Sequence, residues 1–157
     1  MIAFIYLCIL LFIIIFSVYL IYLSSNKCPS KIRKFYLVSL LIIVVRYLSL
    51  LSLWLIQRQR IIYFIKVLTQ LSLVGMPLLV LAAIYIFLRD ENRSFNYNYT
   101  FMILLFLVYV VINIFYKLDI RVDSIFGFIV SYREILIQSL IYLILISSFV
   151  VISLLFI

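Results

Sequence analysis

Two short stretches carry the residues that could do chemistry in this chain. Arg46 stands alone in the apolar run KFYLVSLLIIVVRYLSLLSLWLI (34–56), and KVLTQLSLVGMP (66–77) holds Lys66, Thr69, Gln70, Ser72, Gly75 and Pro77. A guanidinium offers five N–H donors and a permanent charge, while a lysine is an ammonium that can titrate when desolvated. Thr, Gln and Ser supply hydroxyl and amide groups that can bind water or a freed carbonyl. Pro77 lacks an N–H, so the carbonyl of Leu73 has no helical partner, and Gly75 loosens the same stretch. Together these groups suit holding or passing charge, not covalent catalysis. There is no histidine, and no Gly-rich phosphate loop or Ser/His/Asp set. Histidine-dependent catalysis, haem ligation by histidine and most zinc sites are thereby excluded. Asp119 and Asp123 flank Arg121 and read as a solvated charged loop, not a carboxylate pair.

The elements that must position these groups are set by composition. The chain has 157 residues, 69% hydrophobic and 11% charged, where a soluble domain keeps about a quarter of its residues charged. Its surface therefore faces lipid or other apolar protein. A spanning helix needs about 20 mostly apolar residues, and five runs qualify: 2–23, 35–56, 61–88, 100–116 and 135–157. The expected fold is an all-α integral membrane protein, a single transmembrane domain over 1–157. Its third span is discontinuous at Leu73–Pro77, and the piece 125–134, too short to span, is expected to be an interfacial or re-entrant segment. The first run is too long for a signal-peptide h-region, and neither a preceding basic residue nor a small-residue cleavage site accompanies it.

Thirteen basic residues stand against five acidic ones, a net charge of +8. Most of the basic residues lie between apolar runs, where they read as topology signals and lipid head-group contacts, not as a nucleic-acid surface. Loops one and three carry as many as loops two and four, so the positive-inside rule leaves orientation open. The density of loop one (Lys27, Lys31, Arg33, Lys34) favours placing it on the cytoplasmic or matrix side. Cys8 and Cys28 form no metal pattern. Abundant Ile, Phe, Tyr and Leu beside two glycines point to an AT-rich genome, as in an organelle or a low-GC bacterium.

Arg46 lies about 15 Å from either end of its span at 1.5 Å per residue. Insertion scales charge about 2.5–3.5 kcal/mol for an arginine there. All five acids (Asp90, Glu91, Asp119, Asp123, Glu134) fall in loops or at a span end. The counter-ion is therefore expected on another polypeptide, unless Arg46 faces water or reaches an interface. Lys66 marks either the edge of the third span or part of a polar path. Thr69, Gln70 and Ser72 lie one turn before the expected break and could satisfy its free carbonyl, the alternative being a plain proline kink.

The stretch LSLVGMP (71–77) resembles the Ser-Leu-x-Gly-x-Pro element of the antiporter-like membrane subunits of respiratory complex I, the NADH dehydrogenase subunit 2 type in particular. The surroundings are similar in spacing: Trp54 precedes the element, the polar RDENRSFNYNY (89–99) follows, then a span ending NIFYKL (113–118) and a last apolar run. The resemblance covers Trp54 to Ile157. It implies a membrane-arm piece in the mitochondrial inner membrane, without a redox cofactor of its own, that couples electron transfer elsewhere to proton movement. At about half a subunit's length, such a piece implies other membrane subunits as partners, including a separate chain with the missing half. The chain departs from the pattern in having Leu78 for a second proline, no Gly-Phe, and Tyr85 where the family has a lysine. A tyrosine with its pKa near 10 carries protons poorly at neutral pH. Two further readings stay open: a multi-span sensor region resembling those of histidine kinases (Lys66, Gly75, Pro77 and Arg89 in place), and a small basic bacteriocin-immunity protein in a bacterial cytoplasmic membrane.

Overall fold

The fold was analysed as a computed structural model that describes residues 2–56, 59–88, 96–123 and 127–132, together with Leu140 and Leu143. Five α-helices and one hairpin follow in chain order: α1 (Ile2–Lys27), α2 (Ser30–Leu55), α3 (Gln59–Leu68), a 3₁₀ turn (Thr69–Leu71), α4 (Ser72–Leu88), α5 (Asn96–Phe115), β1 (Leu118–Asp123) and β2 (Gly127–Tyr132). Among the described residues, three helical stretches are long and apolar enough to cross a membrane: Ile2–Lys27, Ile32–Leu55 and Ile61–Ile84. The apolar part of α5, Tyr99–Phe115, is shorter. The expected span 135–157 lies outside the described residues apart from the helical Leu140 and Leu143.

The polar stretch 24–34, expected as a loop, is mostly helix. α1 continues to Lys27 and α2 starts at Ser30, leaving an elbow of Cys28 and Pro29. Pro29 is extended (φ −56°, ψ 143°), and its carbonyl accepts from the N–H groups of Ile32 and Arg33 at 3.2 and 2.9 Å. Proline is thus placed where its missing N–H costs nothing and its fixed φ starts the next helix. Serines and lysines signalled a loop by composition, yet at a membrane surface a helix end can keep its polar side chains in the head groups.

α1 packs on α2, α2 on α4, and α4 on α5. The core is built from α4 (Leu73, Val74, Leu78, Leu81, Ala82) with Phe35 of α2 and Leu105, Tyr109 and Ile112 of α5. Gly75 explains how closely α2 and α4 approach: a Cβ built there would stand 2.9 Å from Ile43 Cγ1 and 3.2 Å from Ile42 Cγ2. The glycine expected to loosen the helix serves instead as a contact point, as small residues do wherever membrane helices pack tightly.

Serine hydroxyls in these apolar helices are satisfied by their own backbone. Ser39 donates to the Tyr36 carbonyl at 2.8 Å, Ser49 to Arg46 at 2.6 Å and Ser52 to Leu48 at 2.8 Å. Such back-bonding to the preceding turn lets a hydroxyl sit at membrane depth without a partner helix.

Of the piece expected as an interfacial or re-entrant segment (125–134), the described residues 127–132 form a strand, so the fold is not purely α-helical. β1 and β2 pair antiparallel from Leu118↔Tyr132 to Asp123↔Gly127. The strict alternation of LDIRVD, apolar then polar, is the period-2 signature of a half-buried strand. The β-branched and aromatic residues of GFIVSY suit its partner. β2 lies against α2 and β1 against α3, which fits the direction of the chain. α2 ends, α3 begins and α5 ends on one side, while the α1–α2 elbow and the end of α4 share the other.

Candidate functional site: a capped break in the third span

The third span is interrupted, but one turn earlier than Leu73–Pro77. α3 ends at Leu68, the 3₁₀ turn covers Thr69–Leu71, and Pro77 lies inside α4. At 1.5 Å per residue the ten residues of α3 put the turn about 15 Å in from that helix's start, near mid-depth. A helix that stops there leaves its last carbonyls without N–H partners, in a medium where each costs several kcal/mol unless satisfied.

Three carbonyls at the break accept from side chains, two in the last turn of α3 and that of Thr69 in the 3₁₀ turn. Thr69 Oγ1 donates back to the Lys66 carbonyl at 2.7 Å. The Tyr109 hydroxyl, from α5, donates to the Val67 carbonyl at 2.6 Å. Arg46 Nε, from α2, donates to the Thr69 carbonyl at 3.3 Å. Neighbours on two sides therefore cap the break, α5 with a hydroxyl on the last turn of α3 and α2 with a charge on the 3₁₀ turn. A cation at a helix C-terminus also meets the negative end of the helix dipole. The turn itself is enclosed: Thr69, Gln70 and Ser72 are 5%, 5% and 4% exposed.

Arg46 therefore has a partner within its own chain, a backbone dipole, where the sequence suggested an acid on another polypeptide. The guanidinium also stands over the Tyr47 ring, 4.9 Å from its centroid. Tyr6 of α1 lies within electrostatic reach of both Arg46 and Tyr47. A ring face and a carbonyl solvate the cation where water is scarce. Ser49 donates to the Arg46 carbonyl at 2.6 Å and so braces the same turn of α2.

Lys66 sits in the last turn of α3, half-buried, with Nζ 4.9 Å from the centroid of the Tyr63 ring one turn back. Its carbonyl belongs to the capped set. Asn113, one turn beyond Tyr109 on α5, donates through Nδ2 to the Tyr109 carbonyl at 2.8 Å. Its Oδ1 is buried without a hydrogen-bond partner. The structure thus brings together Arg46, Lys66, Thr69, Gln70 and Ser72, while Gly75 and Pro77 shape the helix just after them. Tyr109, Tyr6 and Asn113 complete the site and were not singled out in the sequence. Asn113 could have been, as an amide inside an apolar run; Tyr109 could not, because 13 tyrosines give none of them a signal.

What this arrangement can do is hold a permanent charge at mid-depth against a broken helix. Among the described residues, no group of three or more metal-ligating side chains is present. No protein-family model, no curated protein and no solved structure matches the chain.

Proposed function

We propose that this chain is a membrane-arm subunit of respiratory complex I in the mitochondrial inner membrane, one half of a split antiporter-like subunit. In that role it helps couple NADH:ubiquinone electron transfer to proton translocation. One observation carries the reading. The span bearing LSLVGMP is interrupted at mid-depth beside buried Thr69, Gln70 and Ser72, with Arg46 donating to the carbonyl of the broken turn. Broken helices with polar groups at the break are how membrane transporters build ion and proton sites from backbone and side chains together.

The roles divide by chemistry. Arg46 is always protonated, so it does not relay a proton. It fixes the break and sets a positive potential there. Lys66 places a second cation in the last turn of α3, beside the break. A separate chain completes the subunit, and the reading requires no cofactor in this one.

The test is to solubilise native membranes in mild detergent, separate complexes on a native gel and locate the polypeptide by mass spectrometry. Co-migration with NADH dehydrogenase activity in a very large complex is the expected result. Migration as a small independent species overturns the proposal and leaves a sensor or immunity role. A truncated kinase frame or a bacteriocin precursor beside the gene would then decide between those.

A further inference from the structure

The opposite end of the molecule from the β-hairpin holds a groove of about 460 Å³ between α1, the start of α2 and the last turns of α4. Leu20 and Leu23 form one wall, and Leu79, Ala83 and Ile86 the other. The α4 wall runs from Leu79 to Ile86, a rise of about 10 Å at 1.5 Å per residue. Its polar residues gather at the elbow, where Ser24, Lys27, Cys28 and Tyr36 contribute to the lining. Arg33 Nη1 donates across the elbow to the Ser25 carbonyl at 3.3 Å, which holds a second cation over the same turn. Exposed Lys34 follows one residue later.

The local charge is one-sided. Residues 24–36 contain Lys27, Lys31, Arg33 and Lys34 and no acid. The segment after α4 is balanced, with Arg89 and Arg93 against Asp90 and Glu91, and lies outside the described residues. The net field at this membrane face is positive. An apolar slot running inward from a cationic mouth at the head-group level is complementary to one class of molecule.

We propose that this groove is a binding site for an anionic phospholipid, with an acyl chain between Leu20, Leu23, Leu79 and Ala83 and the phosphate at Lys27. The Tyr36 hydroxyl beside it offers a hydrogen bond to the head group, while the Ser24 hydroxyl donates to the Ile21 carbonyl. Nothing in the argument depends on the respiratory reading; it requires only that α1, α2 and α4 lie in a bilayer. A basic residue near the surface strengthens anionic-lipid binding by about fivefold, and the other basic residues of the elbow add to Lys27.

The test is native mass spectrometry of the full chain, released from detergent micelles holding equal amounts of phosphatidylglycerol and phosphatidylcholine with the same acyl chains. The expected result is preferential retention of phosphatidylglycerol. Lys27→Gln is expected to lower that preference about fivefold, whereas Lys117→Gln beyond the far end of α5 leaves it unchanged. Ala83→Trp fills the slot and is expected to remove both lipids. Ile86→Glu, at a half-exposed position (50%) that tolerates a polar side chain, keeps the fold and expels phosphatidylglycerol. Excess inorganic phosphate is expected to leave the lipid bound. Equal retention of the two lipids, equal effects of Lys27→Gln and Lys117→Gln, retention unaffected by Ile86→Glu, or displacement by phosphate would each overturn the proposal.

Discussion

The first and third spans are both apolar enough to cross a membrane, with mean hydropathies of 3.0 and 2.1, and behave oppositely. Of the most hydropathic window of α1, 11% is buried within the chain, against 61% for the third span. α1 is apolar all round, with Phe4, Phe12, Ile15 and Tyr22 pointing outward. The third span is surrounded, and inside that surround it gives up its regular helix. The difference shows what burial permits. A span facing lipid must satisfy every backbone group by itself, whereas one enclosed by neighbours can break because they supply the missing partners. Arg46 and Tyr109 are those partners, and they reach the break from two different helices.

Arg46→Leu should have the largest effect and separates insertion from assembly of the site. Removing the cation should favour insertion of α2 by about 3 kcal/mol, read by glycosylation mapping during translocation. A membrane hydrogen bond is worth only about 0.6–1.7 kcal/mol, so Arg46 is not retained for stability. The same variant should lose proton-coupled activity; retained activity would contradict a functional role for this charge. Next, Leu78→Ala removes a fully buried side chain of α4 and should cost about 2 kcal/mol by its cavity. Ile15→Ala on α1, 68% exposed, should stay within about 0.5 kcal/mol. Unfolding in mixed micelles measures both, and equal losses would erase the contrast between the two spans.

Gly75→Ala places a methyl group 2.9 Å from Ile43 Cγ1 and should cost about 1–2 kcal/mol as overpacking. Pairing it with Ile43→Val tests the mechanism, because the smaller neighbour should recover part of the loss. Within the enclosed span the smallest loss belongs to Tyr109→Phe, which leaves the Val67 carbonyl with no donor from α5 and should cost about 1 kcal/mol. Its loss should be larger in a background that already lacks Arg46, since both residues cap the same break. Strict additivity of the two would mean that they act separately.

Much of this was legible in the residues, for definable reasons. Hydropathy located the first three spans because a bilayer demands about 20 apolar residues wherever a helix crosses. Arg46, Thr69, Gln70 and Ser72 stood out because polarity at depth is costly. That Arg46 and Thr69 are partners was not legible: they are 23 positions apart, and only the packing of α2 on the third span joins them. The break was placed at Leu73–Pro77 because proline leaves the Leu73 carbonyl free. The turn fell at Thr69–Leu71, where neighbouring side chains can meet the open carbonyls. The elbow was read as a loop from its serines and lysines, although helix ends keep such residues at a membrane surface. The strand pairing was not legible in IFGFIVSYRE, which is too short to span and lacks strict alternation; its signal lies in the alternation of LDIRVD before it.

The central claim is that the third span breaks at mid-depth and that Arg46 caps it. Selective labels test this directly, because the chain has two threonines, Thr69 and Thr100. Carbonyl-¹³C threonine and guanidino-¹⁵N arginine, in chain reconstituted into bilayers, allow dipolar dephasing of the Thr69 carbonyl by an arginine side chain. The account predicts dephasing consistent with the 3.3 Å Nε–O contact, abolished in Arg46→Leu. No dephasing in the wild type, or dephasing that survives Arg46→Leu, would contradict it.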